Sequence, residues 1–398
     1  MKVLQINSFF SEGGPPRIVK GIHDIVIENG DECLLAAARA NPVPGMDVYR
    51  IGTKWMTYYC ALTSRILDND GFAAGRSTKK LISKIQEYDP DIIHLHNLHS
   101  YYMQVEELFS YLKECGKPVV WTLHDCWAMT GHCPHFTMAK CDRYKTGCYH
   151  CSQKTSFPAS YGLDQSRRNW KRKKKAFTGV PRMTLVPVSQ WLDSVIKESF
   201  LKDYPTRVIY NGLDLNPFRH VESGFREQYG LKGKKLILGV ALHWTEKKGL
   251  RDYIRLAELL DDSYRTVLVG EIGDGVKAYP DNIITIEPVY DDNKLAEIYS
   301  ACDLCLNLSY EETFGLTSVE SLACGTPIIT YDLTAVPEIA RKFGAPVIHA
   351  GDLDELKKAI ENHFLQEKPD TSFDVSCFDE KVLYRQYYDL YKELLEKK

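Results

Sequence analysis

The sequence predicts an α/β protein of two domains, each built on a parallel sheet, and three observations carry this expectation. The chain has 398 residues, more than one ordinary core takes up and enough for two. Short apolar runs ending in Gly, Ser or His alternate with stretches of helical period along its length. Between two groups of such runs, the segment from Asp203 to Phe218, DYPTRVIYNGLDLNPF, sets two prolines and an Asn-Gly, which mark a boundary.

In the first group KVLQINS, DIIHLHN, PVVWTLHD and TLVPVS read as strands, and in the second KLILGVAL, RTVLVG, NIITIEP, LCLNLS and TPIITYD. Buried strands followed by helices imply parallel sheets covered on both faces. Ligands of such sheets bind beyond the carboxyl ends of the strands, so functional side chains are expected just after these runs, in the cleft that two domains imply. The last stretch, Phe378 to Lys398, spaces Tyr and Leu by three and four residues and reads as a helix.

Composition narrows the class. A hydrophobic share of 44% with 26% charged residues is that of a globular chain with a sizeable core. Fifty basic against 53 acidic residues leave a formal charge of -3, which argues against a protein that coats nucleic acid. The start, MKVLQINSFF, reads as a buried strand rather than a signal peptide, and no run approaches the ~18 apolar residues of a membrane span. A cytoplasmic protein is therefore expected, in a reducing compartment where the 12 cysteines serve as core residues and metal ligands rather than disulfides.

The second half holds the sharpest chemical pattern. Strand LCLNLS is followed by the loop YEETFG and by a helix, LTSVESLAC, that stops at Gly325 and Pro327. Amides near Phe314, Gly315 and Leu316 can donate to an anion, and Gly315 lets that backbone come close to a ligand. Glu320, in the first turns of the helix, can accept two hydrogen bonds from a vicinal diol such as a ribose, while Glu312 can accept from sugar hydroxyls. Two glutamates at this spacing also occur as solvated helix charges.

The whole string EETFGLTSVESLACGTPII resembles the family 4 retaining glycosyltransferases. Their hallmark is a Glu, seven residues and a second Glu, with Phe-Gly after the first and Ala-Cys-Gly-Thr-Pro after the second. The resemblance extends to VIYNGLDLNPF, to KKGL after the strand at Leu242 and to the carboxyl-terminal helix. It implies a GT-B fold of two facing Rossmann-like domains: an acceptor-binding domain over residues 1–205, a nucleotide-sugar-binding domain over 206–375, and a carboxyl-terminal helix over 376–398 crossing back to the first. By the same resemblance Glu312 holds the donor sugar, Glu320 the ribose hydroxyls and Lys248 the diphosphate, and the base-binding loop falls near Val289. His243 stands where the family usually has an arginine, which leaves neutralisation of the diphosphate to a protonated His243, to Arg17 or to another basic residue. In the first half, Gly13 and Gly14 fit the turn that the family brings to the transferred group and the phosphates, and His124 matches the histidine that faces the donor sugar.

The implied activity is transfer of a hexose from a nucleotide diphosphate sugar, a UDP-sugar before GDP-mannose, with retention and without an essential divalent ion at the diphosphate. The implied acceptor is a saccharide or a lipid-diphosphate-linked oligosaccharide in surface polysaccharide biosynthesis. A GT-B sugar epimerase or phosphorylase is the rival enzyme. A zinc-containing nucleic-acid binder is the rival of another class, and the acidic balance speaks against nucleic acid as a partner.

Further clusters remain. Alternation puts His94 and His96 of IIHLHNLHS on one face, and with no carboxylate or cysteine at ligand spacing, these and His99 are expected to line the acceptor site or to pack. Cys133, Cys141, Cys148 and Cys151 fall within 19 residues of a loop-rich insertion, residues 126–155, and the last two form a C-x2-C. Four thiolates suit a closed tetrahedral site, so structural zinc is expected, with His132, His135, His150 or Cys126 as substitute ligands and an iron-sulfur cluster as the second option. This insertion after HDCW also resembles a bacterial subgroup of family 4 enzymes associated with surface polysaccharides. Cys302 and Cys305, at the start of a buried strand, are expected in the core. Finally, RRNWKRKKKAF places seven cations from Arg167 to Lys175, with Trp170 and Phe177 on one helical face. The helix reads either as a contact with an anionic membrane surface or lipid diphosphate, at the inner face of the membrane, or as a solvated basic face.

Overall fold

The computed structural model describes residues 1–10, 14–40, 46–273, 279–365 and 371–397. Its contacts divide the chain into two units, one formed by Met1–Tyr210 together with the residues from Leu383 onward, the other by Asn211–Val382.

Among the described residues, the first unit carries six strands, β1 (Lys2–Phe10), β2 (Glu32–Ala40), β3 (Val48–Arg50), β4 (Ile92–Leu95), β5 (Val119–Leu123) and β6 (Met183–Pro187). They lie in the order β3-β2-β1-β4-β5-β6 with every pairing parallel. All residues of β4, β5 and β6 are buried, as strands covered on both faces must be. Val3 pairs with Cys33 on one side and Ile92 on the other, so the direction of winding reverses at β1. At such a reversal the loops leaving the carboxyl ends diverge and leave a ligand-sized crevice.

The second unit repeats the plan with β7 (Lys235–Trp244), β8 (Tyr264–Ile272), β9 (Ile283–Ile286), β10 (Leu304–Asn307), β11 (Ile328–Tyr331) and β12 (Val347–Ile348), ordered β12-β11-β10-β7-β8-β9 and again all parallel. Here the reversal falls between β7 and β10. Its core is built on Trp244, Tyr253, Leu256, Leu268, Leu306 and Tyr331. Tyr253 lies so close to β7 that a Cβ at Gly239 would come within 2.7 Å of its ring, and its hydroxyl donates to the Leu306 carbonyl at 2.5 Å.

The strand Glu32–Ala40, ECLLAAARA, was absent from the pattern of apolar runs because alanine favours helix when read locally. Its residues from Cys33 to Ala38 are buried, and small side chains suit a strand pressed from both faces. The Glu380–Glu396 helix belongs to the first unit from Leu383 onward and buries Tyr384, Tyr387 and Tyr391 there. Gly21 makes room for it, since a Cβ at that position would stand 2.2 Å from the Tyr384 ring. Among the described residues, no helix is long and apolar enough to cross a membrane.

Candidate active site

Each unit gathers its candidate residues at the carboxyl end of its own sheet. In the second unit, two loops leave the neighbouring strands β7 and β10. The first makes a 3-10 turn, Glu246–Lys248, and reaches Gly249, whose φ of 77° caps the Leu250–Leu259 helix. A Cβ on Gly249 would stand 2.4 Å from the Leu308 carbonyl oxygen, so the two loops touch only because this residue is glycine. The Tyr310 amide donates to the Lys247 carbonyl at 2.8 Å and ties them together.

This contact aligns two doublets. Lys247 pairs with the buried Glu311 at 2.5 Å, and Lys248 pairs with the half-buried Glu312. Beyond Glu312 the chain turns at Gly315, whose φ is 96°, and starts the Leu316–Ala323 helix. Asn307, at the end of β10, braces that turn by donating to the Ser318 hydroxyl at 3.1 Å and accepting from the Ser309 amide. Phe314 is buried beside Phe378, 6.0 Å between ring centroids, which leaves the backbone around Gly315 as the part able to meet a ligand. Leu316, first residue of the helix, is partly exposed. Glu320, 9% exposed, accepts from the Tyr299 hydroxyl at 2.8 Å. The result is a carboxylate, an ammonium, a helix start and a second carboxylate in a row across the reversal point.

Two other positions stand apart from this row. His243, at the carboxyl end of β7 past a register shift, is largely exposed, and its Nδ1 lies 2.6 Å from Glu271 of β8. Val289 follows β9, two strands from β7, and is half-buried. Gly13 lies outside the described residues, while Gly14 opens the Gly14–Glu28 helix after β1.

In the first unit, His124 follows β5 and is buried within a row of polar side chains. Its Nε2 is 3.1 Å from His96 Nδ1, and the other His96 nitrogen bonds the Gln5 side chain at 3.0 Å. His94 bridges the Tyr391 hydroxyl at 2.6 Å and the Thr122 hydroxyl at 2.7 Å. Burial pushes His94 and His96 well below the usual histidine range, and it takes His124 down to about 4. These rings are therefore neutral hydrogen-bonding groups at neutral pH. His99 behaves oppositely: burial opposes its charge, but the Asp125 carboxylate at 2.7 Å outweighs burial and raises it. Asp125, which burial would raise, is held down at about 2 by His99.

The sequence pattern of the Glycosyl transferases group 1 family matches residues 222–374, and that of Glycosyltransferase Family 4 matches residues 63–217. The chain belongs to the family 4 glycosyltransferases. It is 22% identical over 373 residues, 89% of each chain, to WcaC of Escherichia coli (strain K12), a protein assigned to colanic acid biosynthesis as a glycosyl transferase. Among solved structures it resembles the sucrose-phosphate synthase of Thermosynechococcus elongatus, with a TM-score of 0.70 at 15% identity over all of both chains. It likewise resembles the Anabaena protein HepE in complex with UDP and glucose, with a TM-score of 0.66 at 16% identity, covering 99% of this chain and all of that one. At these identities the likeness shows the shared GT-B architecture of two Rossmann-like units.

The cysteine insertion of this glycosyltransferase is tied to the rest of the first unit. Tyr144 bonds Glu198, Trp170 bonds the Tyr144 carbonyl, and His132 lies 2.5 Å from Asp68. Cys133 and Cys151 share a thiol–thiol hydrogen bond, and Cys148 accepts from the Gly131 amide at 3.2 Å. Cys141 is partly exposed. The donor chemistry suits zinc, yet among the described residues no three His, Cys, Asp or Glu side chains are grouped as a metal site requires. Cys302 and Cys305 are buried.

The basic helix, Ser166–Phe177, spends its apolar face inside the protein: Trp170, Ala176 and Phe177 are buried. Lys173 is buried too, its Nζ donating to the Trp127 carbonyl at 2.8 Å and lying 3.3 Å from the Trp127 ring centroid. Arg172 forks onto Glu106 at 2.8 and 2.6 Å. Arg167, Arg168, Lys171, Lys174 and Lys175 remain exposed.

Sequence reasoning missed the Lys247–Glu311 pair of the glycosyltransferase, the Tyr299 donor to Glu320 and the His99–Asp125 couple. A signal for the first existed. Doublets of opposite charge, KK and EE, each follow a strand of the second unit, and neighbouring strands bring such doublets face to face.

Proposed function

We propose that this glycosyltransferase moves a hexose from a nucleotide diphosphate sugar, a UDP-hexose first and GDP-mannose second, with retention at the anomeric carbon. The acceptor in this reading is a saccharide or lipid-diphosphate-linked oligosaccharide of surface polysaccharide biosynthesis. The observation that carries it is the Lys248–Glu312 pair held beside the Gly315 helix start at the β7/β10 reversal.

Without ligand, each group satisfies the other. A donor diphosphate draws the Lys248 ammonium and the amides after Gly315, and Glu312 is released to accept from sugar hydroxyls. Glu320, a carboxylate with about four lone-pair sites, accepts from the ribose diol in addition to its bond from Tyr299. His124, kept neutral by burial, is the group of the first unit that would orient the sugar. Charge building on the leaving diphosphate is met by Lys248 and the helix start, and a departing phosphate oxygen takes the proton of the acceptor hydroxyl. No side-chain nucleophile is needed. Lys248 supplies the charge in this reading, with His243, which lies against Glu271, or Arg17 as the further basic group. Support from relatives is of two kinds: HepE structures hold UDP, glucose and UDP-glucose, and WcaC is assigned to colanic acid biosynthesis.

Two lesser readings go with this. The four thiols at 133, 141, 148 and 151 would hold structural zinc by closing around it, stiffening the insertion without touching the reaction. The exposed cations from Arg167 to Lys175 would face an anionic membrane surface. The test of the main reading is a panel of nucleotide sugars screened for thermal stabilisation and for slow release of the nucleoside diphosphate. One donor class should raise the melting temperature and turn over, and Lys248→Ala should lose both effects. Stabilisation by none of the panel, or equal stabilisation of Lys248→Ala, would overturn it.

A further inference from the structure

The Lys54–Leu67 helix of the first unit wears its amphipathicity inside out. Its buried face consists of Cys60 and Ser64. Its outer face carries Trp55, 83% exposed, Tyr58, 68%, Tyr59, 63%, Leu62, 57%, and Ile66, 53%. At 100° per residue these five positions fall within an arc of about 100°, an unbroken apolar and aromatic stripe on the side away from the core. Water-facing stripes of this kind mark interaction surfaces, since an ordinary soluble helix turns the same spacing inward.

The helix is firmly built. Thr53 caps its start by accepting from the Met56 amide at 3.2 Å, and Asp68 ends it in the left-handed conformation. The Trp55 and Tyr58 rings pack edge to face, 6.3 Å apart. The next chain segment widens the stripe: the Leu163 amide bonds the Ile66 carbonyl at 2.8 Å, and Tyr161 and Leu163 are 70% and 50% exposed. Cations frame the patch. Arg50 and Lys54 stand at one end, Arg65, Arg167 and Arg168 at the other, all exposed, and the helix itself contains no acidic residue. Asp164, next to Leu163 in the chain, is engaged by the Cys151 and Ser166 amides, and Asp68, which follows the helix, is buried against His132.

We infer that this stripe is a membrane-contact surface that seats the first unit on a bilayer containing anionic lipid. Tyrosine and tryptophan have an apolar ring and a polar tip, which suits the boundary between headgroups and acyl chains, and the surrounding cations suit its phosphates. Flanking arginines and lysines then meet lipid phosphates, and the 14-residue helix, about 20 Å long, lies in the plane of the surface. The basic Ser166–Phe177 helix supplies charge alone, because its own Trp170 and Phe177 are buried.

The seating is functional in its placement. The helix starts just past the carboxyl end of β3, and past its other end Asp70 accepts from the Ser100 and Tyr101 amides in the loop that follows β4. The stripe is thus anchored at the same end of the first sheet as His124, where a lipid-linked acceptor would arrive. The inference rests on the proposed function only in that last respect.

The test is flotation of the full chain with vesicles of phosphatidylcholine alone and of phosphatidylcholine with phosphatidylglycerol. Wild-type protein should float with the anionic vesicles, with a blue shift of tryptophan emission from Trp55. The triple variant Trp55→Ser, Tyr58→Ser, Leu62→Ser should bind at least roughly tenfold more weakly, and Arg167→Glu with Arg168→Glu should weaken binding while keeping the emission shift of the bound fraction. These side chains are exposed, so nucleotide-induced stabilisation should be unchanged in every variant, which separates this inference from the donor-site reading. Undiminished flotation of the triple variant would overturn the inference. A wild-type dimer that becomes monomeric in the triple variant, with no vesicle binding by either, would overturn it in favour of a second copy of the chain.

Discussion

Replacing Glu320 by Gln removes a charge while leaving an oxygen where Tyr299 needs one. In the structure, the Tyr299 hydroxyl is fully buried and donates to one Glu320 oxygen at 2.8 Å, a structural bond that takes one of the carboxylate's roughly four lone-pair sites. If the others serve the ribose diol, the charged acceptor contributes about 1.5–3 kcal/mol to nucleotide binding. A neutral amide recovers part of this, and a loss of about 2 kcal/mol corresponds to roughly 30-fold weaker binding. Folding stability should change little in Glu320→Gln. In Glu320→Ala it should fall by about 1–3 kcal/mol, because a buried hydroxyl is left without its acceptor. Calorimetric titration with UDP and with UDP-hexose, beside urea unfolding of the three proteins, reads both quantities. Wild-type nucleotide affinity in Glu320→Gln would refute the ribose role, and an equal stability loss in both variants would refute the account of Tyr299.

Other outcomes follow from the same geometry. Gly249→Ala should lose about 2 kcal/mol or more in urea unfolding, since the Cβ meets the Leu308 carbonyl at 2.4 Å with φ at 77°; a loss under about 0.5 kcal/mol would mean the two loops are not in contact. Acid should destabilise the first unit through His124. Its folded value of about 4 lies below the ordinary 6.5, so the unfolded chain takes up the proton first and stability falls as pH drops from 6.5 through 4, by about 3 kcal/mol in all. His124→Asn should flatten this limb of a pH–stability curve, and an unchanged curve would contradict the burial of a neutral ring. For the insertion, metal analysis of the purified protein should find about one zinc per chain, and chelation should lower the melting temperature. Metal-free protein of undiminished stability would leave the four cysteines as ordinary thiols.

Much of the fold was legible because parallel strands buried on both faces are written as short apolar runs. What escaped was short or locally ambiguous. Glu32–Ala40 is alanine-rich and reads as helix until two neighbours press on it, and Val347–Ile348 is too brief to leave a pattern. In the site, Glu312, Glu320 and Lys248 were visible through a motif whose spacing reflects one loop and one helix. The Lys247–Glu311 pair was not, since it depends on β7 and β10 being neighbours, a fact of strand order. His94 and Tyr391 meet across 297 positions, which no local pattern records. The outward stripe of Lys54–Leu67 was hidden for a converse reason: its three- and four-residue spacing is that of a core-facing helix, and only burial shows which way it points.

The anomeric configuration of the first-formed product decides the reaction class. The purified protein would be given an α-linked UDP-hexose and followed by proton NMR before mutarotation sets in. The proposed chemistry predicts α-configured product together with released UDP, and loss of nearly all turnover in Glu312→Gln while UDP still binds. A β-configured first product, or full turnover in Glu312→Gln, would contradict it.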